Sequence, residues 1–192
     1  MDNKLLQPGT MLRGGTYRVE RALSSGGFGN TYVVTNISFD ETFAMKEFFM
    51  KDINMRDGNT VTVSISDNKV TFDSQRAKFQ KEARRLRKLN NDHIVGVHDL
   101  FEENGTTYYI MDFIDGESLG DRLKRTGQPL SEGETRQVLG QVLDALDTVH
   151  QQGIWHLDLK PANIMMNRQG KALLIDFGAS KQMNGSDGLT ST

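Results

Sequence analysis

The segment HLDLKPAN, residues 156–163, brings an acid, a base and an amide within six positions of one another, at Asp158, Lys160 and Asn163. A carboxylate can accept a proton, an ammonium group can bind an anion, and an amide oxygen can bind a cation. A lysine close to an aspartate is also common on surfaces, and Leu157 and Leu159 could simply anchor an ordinary loop. The segment therefore indicates chemistry only if the rest of the chain supplies groups that act with it.

A glycine-rich stretch, LSSGGFGNTYVV at residues 23–34, lies between two runs of strand composition. Glycines there allow backbone N–H groups to approach phosphate oxygens, because no Cβ is in the way. Lys46, in FAMKEF on the following predicted strand, could face the same phosphates with its ammonium group. A simpler interpretation stays open for both, namely a flexible hairpin and a solvated lysine at a sheet edge.

Two further carboxylates have candidate roles. Glu82, in FQKEARRL on a predicted helix, could hold Lys46 in place. It could equally be the i,i+4 partner of Lys78, which is worth only ~0.3 kcal/mol on a surface. Asp176, in LLIDFGAS, follows an apolar strand and precedes a turn, which suits a Mg²⁺ ligand, although alone it would be a turn-forming aspartate.

The composition is that of an ordinary globular protein. The chain has 192 residues, 36% hydrophobic and 25% charged, with a net charge of -2. These values give no reason to expect nucleic acid or a membrane surface as a partner. The sequence has no cysteine, which excludes disulfides and thiolate metal sites, and no apolar run approaches the ~20 residues of a membrane span. We expect a cytoplasmic protein without a membrane segment.

The first half of the chain predicts a sheet and one helix. Three short β-branched and aromatic runs between Tyr17 and Phe49 predict an antiparallel meander. Asp57-Gly58 is a hairpin signal within an inserted region, residues 51–72. An amphipathic helix is predicted for residues 74–90, and two more strands flank Asn104-Gly105.

The second half predicts helices. A short helix is expected at about residues 118–125, and a long one from near Ser131 to Gly153. Two short strands, NIMM and KALLIDF, follow, and then a polar tail. The apolar stripe of the long helix is predicted to be Val138, Val142, Leu146 and Val149.

In this order, the Gly-rich loop, strand lysine, helix glutamate, Asp-x-x-x-x-Asn loop and Asp-Phe-Gly segment resemble the eukaryotic-like serine/threonine protein kinases. The resemblance runs from about Tyr17 to the last residue. It implies an α+β, two-lobe fold with an antiparallel sheet plus one helix in the N-lobe and an incomplete, mainly helical C-lobe. The implied domains are residues 17–114, the N-lobe and hinge, and residues 115–192, the partial C-lobe ending in the activation segment.

The resemblance also implies catalytic and metal roles. Asp158 would be the catalytic base that accepts or orients the substrate hydroxyl proton, and Lys160 would lie near the transferred phosphoryl group. Asn163 and Asp176 would hold Mg²⁺. Such chemistry is mainly positioning and charge neutralisation, so these groups and the nucleotide-binding groups are expected to converge.

An ATP site is implied by the same resemblance. Lys46, fixed by Glu82, would bind the α and β phosphates, while the Asp112 carbonyl and the Ile114 backbone would meet the adenine and Met111 would form the back wall. For the apolar members of the pocket, plain core packing is also open. The other implied contacts are Leu23, Ser24, Ser25, Gly26, Gly27, Phe28, Gly29 and Thr31 in the loop, and Ala44, Met165 and Ile175 around the base.

Several positions depart from the family pattern. Ser24 replaces the first glycine of the loop and Thr31 replaces the usual valine, so phosphate coverage is expected to be looser. Leu157 replaces the arginine that often contacts a phosphorylated activation loop. The lysine two residues after Asp158 resembles serine/threonine kinases more than tyrosine kinases.

The family continues after Asp-Phe-Gly through an Ala-Pro-Glu anchor and further helices, which these 192 residues do not contain. We therefore expect this chain alone to bind Mg-ATP weakly and to phosphorylate protein little or not at all. The apolar stripe of the long helix is expected to be exposed, which would favour self-association.

The implied function is ATP-dependent phosphorylation of serine or threonine hydroxyls in a protein substrate, with Mg²⁺. A non-catalytic nucleotide- or protein-binding module is an alternative, motivated by the missing lobe and by Leu157. A small-molecule kinase of related fold is another, because such enzymes share the Asp-x-x-x-x-Asn pattern. The Gly-rich loop and Asp-Phe-Gly favour a protein substrate.

Overall fold

The computed structural model describes residues 4–26, 29–63, 68–178 and 181–182. The chain divides into two compact units. Unit 1 consists of residues 1–87 and 97–113, and unit 2 of residues 88–96 and 114–192. Among the described residues, no helix is both long enough and apolar enough to cross a membrane.

The described part of unit 1 contains a large sheet, a hairpin and one helix. In chain order the elements are β1 (Met11–Leu12), β2 (Tyr17–Ser25), β3 (Gly29–Asn36), β4 (Glu41–Phe48), β5 (Asn54–Asp57), β6 (Thr60–Val63), α1 (Asn68–Leu86), β7 (Val97–Glu103) and β8 (Thr106–Asp112). The sheet has the order β1-β2-β3-β4-β8-β7, and β5 pairs only with β6. All these pairings are antiparallel, so the predicted meander of β2, β3 and β4 is confirmed.

One face of this sheet buries an aromatic core. Tyr17 stacks on Phe101 at 6.2 Å between ring centroids, and Phe101 in turn stacks on Tyr108 at 5.3 Å. Leu6 and Leu12, which precede the meander, are buried in the same cluster. The chain segment before β2 is therefore part of the core of unit 1.

Helix α1 begins six residues earlier than the predicted start at residue 74 and ends four before the predicted residue 90, because it spans Asn68–Leu86. Its first turns are stabilised by tertiary packing, which the hydrophobic periodicity of the sequence does not reveal. Phe72 is buried and its ring lies 5.2 Å from that of Phe48. The inserted region therefore contains the β5–β6 hairpin, as predicted, and then the start of a helix.

Unit 2 is mainly helical in its described part. Its elements are β9 (Gly116–Ser118), α2 (Leu119–Thr126), α3 (Glu132–Gln151), β10 (Ile154–Trp155), β11 (Ile164–Asn167), β12 (Ala172–Leu174) and β13 (Lys181–Gln182). Both predicted helices begin at serine N-caps. The Ser118 hydroxyl accepts from the Asp121 N–H, and Ser131 forms a capping box with Glu134.

The apolar stripe of α3 is buried, so its predicted exposure is wrong. Val138, Val142 and Val149 are buried, and α3 packs against β10 and β12. Leu146 is only half-buried, and the fully buried residue next to it is Ala145. The exposed apolar side chains of this helix are Leu139 and Leu143. Self-association stays a prediction.

Two glycines should respond in opposite ways to an added methyl group. A Cβ at Gly116 would overlap the Met166 carbonyl oxygen of β11, so Gly116→Ala is expected to lower the free energy of unfolding by about 1–3 kcal/mol. At Gly140, in α3, a Cβ meets nothing within 4 Å, and Gly140→Ala is expected to raise it by about 1 kcal/mol. Urea denaturation measures both changes. Similar effects at the two positions would contradict the close approach of β9 to β11.

Candidate active site

The Gly-rich turn joins β2 to β3 in unit 1. The Gly26 N–H donates to the Gly29 carbonyl at 2.8 Å, which closes the turn. A Cβ at Gly29 would lie only 2.6 Å from the Glu47 carbonyl oxygen, so a larger residue would push β3 away from β4. Of the other predicted loop residues, Leu23, Ser24, Ser25 and Gly26 are exposed and Thr31 is half-buried, whereas Gly27 and Phe28 lie outside the described residues.

Lys46 and Glu82 form an ion pair within unit 1. The Lys46 Nζ donates to the Glu82 Oε1 at 3.3 Å, from the middle of β4 to the last turns of α1. Glu82 is buried, and a buried carboxylate needs a partner. The partner is Lys46, as predicted from the sequence. The alternative, a surface pair between Glu82 and Lys78, does not fit the burial of Glu82.

Tyr109 also belongs to this group, although the sequence analysis did not identify it as a site residue. Its hydroxyl donates to the Glu82 Oε1 at 3.1 Å, and its ring lies 5.8 Å from the Lys46 Nζ. The Phe79 ring lies 6.0 Å from the same nitrogen. Tyr109 faces Lys46 across the β4–β8 pairing, so only the strand register would have identified it.

The predicted adenine-binding residues are divided between the units. In unit 1, Ala44 is buried and pairs with Met111 across β4 and β8, one position from Asp112. Unit 2 contains Ile114, Met165 and Ile175, which are all half-buried. Apolar side chains of intermediate burial can line a nucleotide pocket or form the margin of a core.

Asp158, Lys160 and Asn163 come together in unit 2. The Lys160 Nζ lies 2.8 Å from the Asp158 Oδ2. The Asn163 side-chain nitrogen donates to the same Oδ2 at 3.0 Å and to the Asp158 carbonyl at 2.9 Å. Pro161 begins a short 3₁₀ turn that ends at Asn163, and this turn directs the amide back toward the aspartate. The carboxylate is thus oriented by two donors.

The electrostatics of this loop favour the charged forms of its aspartate and lysine. The hydrogen bond from Lys160, followed by that from Asn163, lowers the pKa of Asp158. The hydrogen bond to Asp158 raises the pKa of Lys160, and the charges of Asp158 and Asp176 add to the effect. Both groups remain open to solvent, so the pairing orients the side chains more than it stabilises the fold.

His156 braces the start of the loop. Its Nδ1 accepts from the Asp158 N–H at 3.3 Å, and its ring packs on that of Phe177, with 4.6 Å between centroids. Burial lowers the pKa of His156, so the imidazole stays neutral at pH 7. A neutral ring can act as the acceptor that this contact requires.

The described residues contain no group of three or more histidine, cysteine, aspartate or glutamate side chains that could hold a metal ion. Asn163 and Asp176 nevertheless offer the oxygen ligands that Mg²⁺ prefers. The Asn163 nitrogen is directed at Asp158, which leaves its Oδ1 as an acceptor. The Asp176 Oδ1 accepts from the Gly178 N–H at 3.0 Å. The donor set fits an ion that takes its remaining ligands from phosphate or water.

Leu157 has an unusual backbone. Its φ is 62°, in the left-handed region that residues other than glycine and asparagine rarely adopt. Leu157 is 54% exposed. Strain of this kind costs on the order of 1–3 kcal/mol and persists where the surroundings impose it. Here it lies between two site residues, His156 and Asp158.

Comparisons with known proteins agree with this geometry. The family described as protein kinase domain matches residues 17–192. The chain belongs to this family. The probable serine/threonine-protein kinase YbdM of Bacillus subtilis is 29% identical over 167 residues, which are 87% of this chain and 58% of that protein. Serine/threonine-protein kinase PknD of Mycobacterium tuberculosis is 34% identical over 178 residues, or 93% of this chain and 24% of that protein.

A solved structure extends the likeness to the fold. The apo form of PpkA-294 matches with a TM-score of 0.87 and 26% sequence identity, and the match covers 91% of this chain and 62% of that one. The predicted kinase fold is confirmed. The chain spans 58% of the length of YbdM and about a quarter of that of PknD.

The strain at Leu157 leads to a comparison of two exposed leucines. Leu157→Asn is expected to be more stable than Leu159→Asn by about 1 kcal/mol, because asparagine tolerates a positive φ and Leu159 has no such backbone. Both leucines are largely exposed, so the lost apolar contacts are similar. Thermal and urea unfolding of the two variants give the difference. A less stable Leu157→Asn would show that the leucine side chain, and not the backbone, determines stability here.

Proposed function

We propose that this kinase domain binds Mg-ATP and transfers its terminal phosphoryl group to serine or threonine hydroxyls of a protein. The observation that carries the proposal is the oriented carboxylate of Asp158, which accepts from both Lys160 and Asn163. A surface ion pair would not need the second donor or the 3₁₀ turn that supplies it. An oriented carboxylate is what a reaction based on positioning requires.

In unit 1, we assign nucleotide binding to the turn and to Lys46. Backbone N–H groups of the Gly-rich turn between β2 and β3 would donate to phosphate oxygens. Lys46 would neutralise the α and β phosphates while Glu82 keeps its ammonium group in place at 3.3 Å. Ala44, Met111 and the backbone at Asp112 would contact the adenine. The same role is assigned in unit 2 to Met165, Ile175 and the backbone at Ile114.

In unit 2, the chemistry is assigned to the loop that begins at His156. Asp158 would accept or orient the proton of the substrate hydroxyl, and Lys160 would compensate charge on the transferred group. Asn163 and Asp176 would hold Mg²⁺, which supplies charge neutralisation at the phosphates when bound. The hydrogen bonds from Lys160 and Asn163 keep Asp158 ionised and aimed, so it can act without first losing a proton.

A serine/threonine preference is supported by the names of the relatives and by Lys160, two residues after Asp158. Regulation should differ from that of kinases with an arginine before the catalytic aspartate. Leu157 cannot donate a charge-assisted hydrogen bond to a phosphate, so activation would not depend on such a pair. The protein substrate and the activity of the whole protein belong to this proposal.

Replacing Asp158 tests the catalytic role. Asp158→Asn is expected to leave Mg-ATP affinity unchanged and to lower turnover on the order of 10²- to 10⁴-fold, the range for a general acid or base. Turnover is measured as radiolabel transfer from ATP to a generic protein. The assay uses the longest natural protein that contains this chain. Unchanged transfer by the asparagine variant would remove Asp158 from the mechanism.

Replacing Lys46 tests phosphate binding, with Lys78 as the matched control. Lys46→Ala is expected to weaken Mg-ATP binding on the order of 10- to 100-fold, because hydrogen bonds to charged groups are lost. Lys78→Ala removes an exposed lysine of the same helix as Glu82 and should have no effect. Calorimetric titration of the 192-residue chain gives both affinities. Equal losses for the two variants would indicate a general effect of charge.

A further inference from the structure

Unit 1 contains a second ion pair, directly behind the first, which the proposed mechanism does not use. Glu47 follows Lys46 on β4, so its side chain leaves the opposite face of the sheet. One guanidinium nitrogen of Arg56, from β5, donates to both Glu47 oxygens at 2.6 and 2.7 Å. The two side chains are 0% exposed. A fully buried pair of this kind lies outside the residues assigned to nucleotide or metal.

Further donors converge on the same carboxylate. The Tyr32 hydroxyl donates to the Glu47 Oε2 at 2.8 Å, and the Asn30 side-chain nitrogen donates to it at 2.9 Å. Burial, followed by the charge of Glu47, raises the pKa of Tyr32, so this hydroxyl keeps its proton. Burial alone would lower the pKa of Arg56, but the charge of Glu47 raises it above its usual value. Tyr32 therefore remains a hydrogen-bond donor, and Arg56 remains charged.

The network reaches the Gly-rich turn through Asn30. Asn30 pairs with Glu47 across β3 and β4, and with Ser25 across β2 and β3. The Ser25 hydroxyl donates to the Asn30 Oδ1 at 2.5 Å. Ser25 is the last residue of β2, immediately before the turn. A row of polar side chains on one face thus connects the buried ion pair to the base of the phosphate-binding turn.

Glu47 determines which way the Asn30 amide faces. An ionised carboxylate only accepts hydrogen bonds, so the Asn30 nitrogen must face Glu47 and its oxygen must face Ser25. The same nitrogen donates to the Lys4 carbonyl at 3.2 Å, which uses its second hydrogen. The Ser25 hydroxyl therefore donates its proton to the Asn30 Oδ1. The Ser25 side chain is thus placed to hold the turn, and its contact with a nucleotide stays a prediction.

Segments beyond the sheet support this arrangement. The Arg56 Nε also donates to the Lys4 carbonyl at 3.2 Å, and the Lys51 Nζ donates to the Ser25 carbonyl at 3.1 Å. Lys4 lies before the residues that match the kinase family, which begin at residue 17. Residues of the N-terminal segment and of the inserted region therefore form hydrogen bonds that support the turn. A buried ion pair often contributes little net stability, but its hydrogen bonds fix one arrangement of the groups around it.

We propose that Glu47 is a positioning residue for the Gly-rich turn. Paired with Arg56, it fixes the Asn30 amide, which holds the Ser25 hydroxyl and with it the backbone N–H groups that approach the nucleotide phosphates. The link to nucleotide affinity rests on the proposed function. The link to the turn itself does not, because every contact lies within unit 1.

Two routes of disruption test the connection. Ser25→Ala removes the last hydrogen bond, and the double variant Glu47→Gln, Arg56→Met removes the pair without leaving a buried charge alone. Each is expected to weaken Mg-ATP binding about three- to tenfold, the effect of one hydrogen bond, and to speed amide exchange at Gly26 in the nucleotide-free chain. Combining both routes should cause no further loss, because they break the same connection.

Two controls separate positioning from general destabilisation. Ser25→Thr keeps the hydroxyl and should restore the wild-type affinity and exchange rate. Val61→Ala truncates a buried side chain of the same hairpin, opposite Arg56, and should lower the melting temperature without changing either readout. The affinities come from calorimetric titration and the Gly26 rate from hydrogen exchange in the 192-residue chain.

The outcomes are distinct. Additive losses from the two routes, or an equal loss from Val61→Ala, would overturn the positioning role. A wild-type chain that binds no Mg-ATP would overturn the proposed function, and the Gly26 exchange rates would then decide the role of Glu47 in the turn. If the double variant does not fold, the comparison of Ser25→Ala with Ser25→Thr still decides whether the Ser25 hydroxyl holds the turn. Unchanged Gly26 exchange in Ser25→Ala overturns the inference.

Discussion

Two consecutive charged residues on an interior strand impose the main constraint on unit 1. Because side chains alternate along β4, Lys46 and Glu47 must be neutralised on opposite faces of the sheet. Glu82 of α1 neutralises the lysine, and Arg56 of the inserted hairpin neutralises the glutamate. An unpaired charge at either position would cost several kcal/mol, so the burial of β4 depends on both the helix and the hairpin. The two pairs therefore tie the elements on both sides of the sheet to one strand.

The two pairs differ in their exposure to solvent. Lys46 is partly exposed and shares Glu82 with Tyr109, so its ammonium group can still interact with an anion. The side chains of Arg56 and Glu47 are 0% exposed. A site that binds a charged ligand needs an adjustable charge supported by a rigid neighbour. In this strand the adjustable charge faces α1, and the rigid pair faces the hairpin and the residues before β1.

Much of this could be read from the sequence, and the rest could not for identifiable reasons. The strands β2 to β4, the Asn104-Gly105 hairpin and the serine caps of α2 and α3 have local signals, namely alternation, turn residues and capping residues. The start of α1 depends on the packing of Phe72 on Phe48, and the partners of Glu47 depend on strand register, so neither is a local property. Lys46 and Glu82 were predictable as a pair only because the family resemblance joined two motifs that are far apart in the chain. A glutamate next to that lysine was the visible clue to the second pair, since alternation sends it into the opposite face.

The proposed catalytic base has a low proton affinity, which at first suggests a poor base. Lys160 and Asn163 both donate to Asp158 and lower its pKa. In a loose phosphoryl-transfer transition state, however, little charge develops on the attacking hydroxyl, so direction matters more than basicity. The backbone of the same loop is also constrained: the His156 ring accepts from the Asp158 N–H, and Leu157 between these two residues has a positive φ. The main chain on one side of Asp158 and the two side-chain donors on the other therefore both act on the direction of one carboxylate.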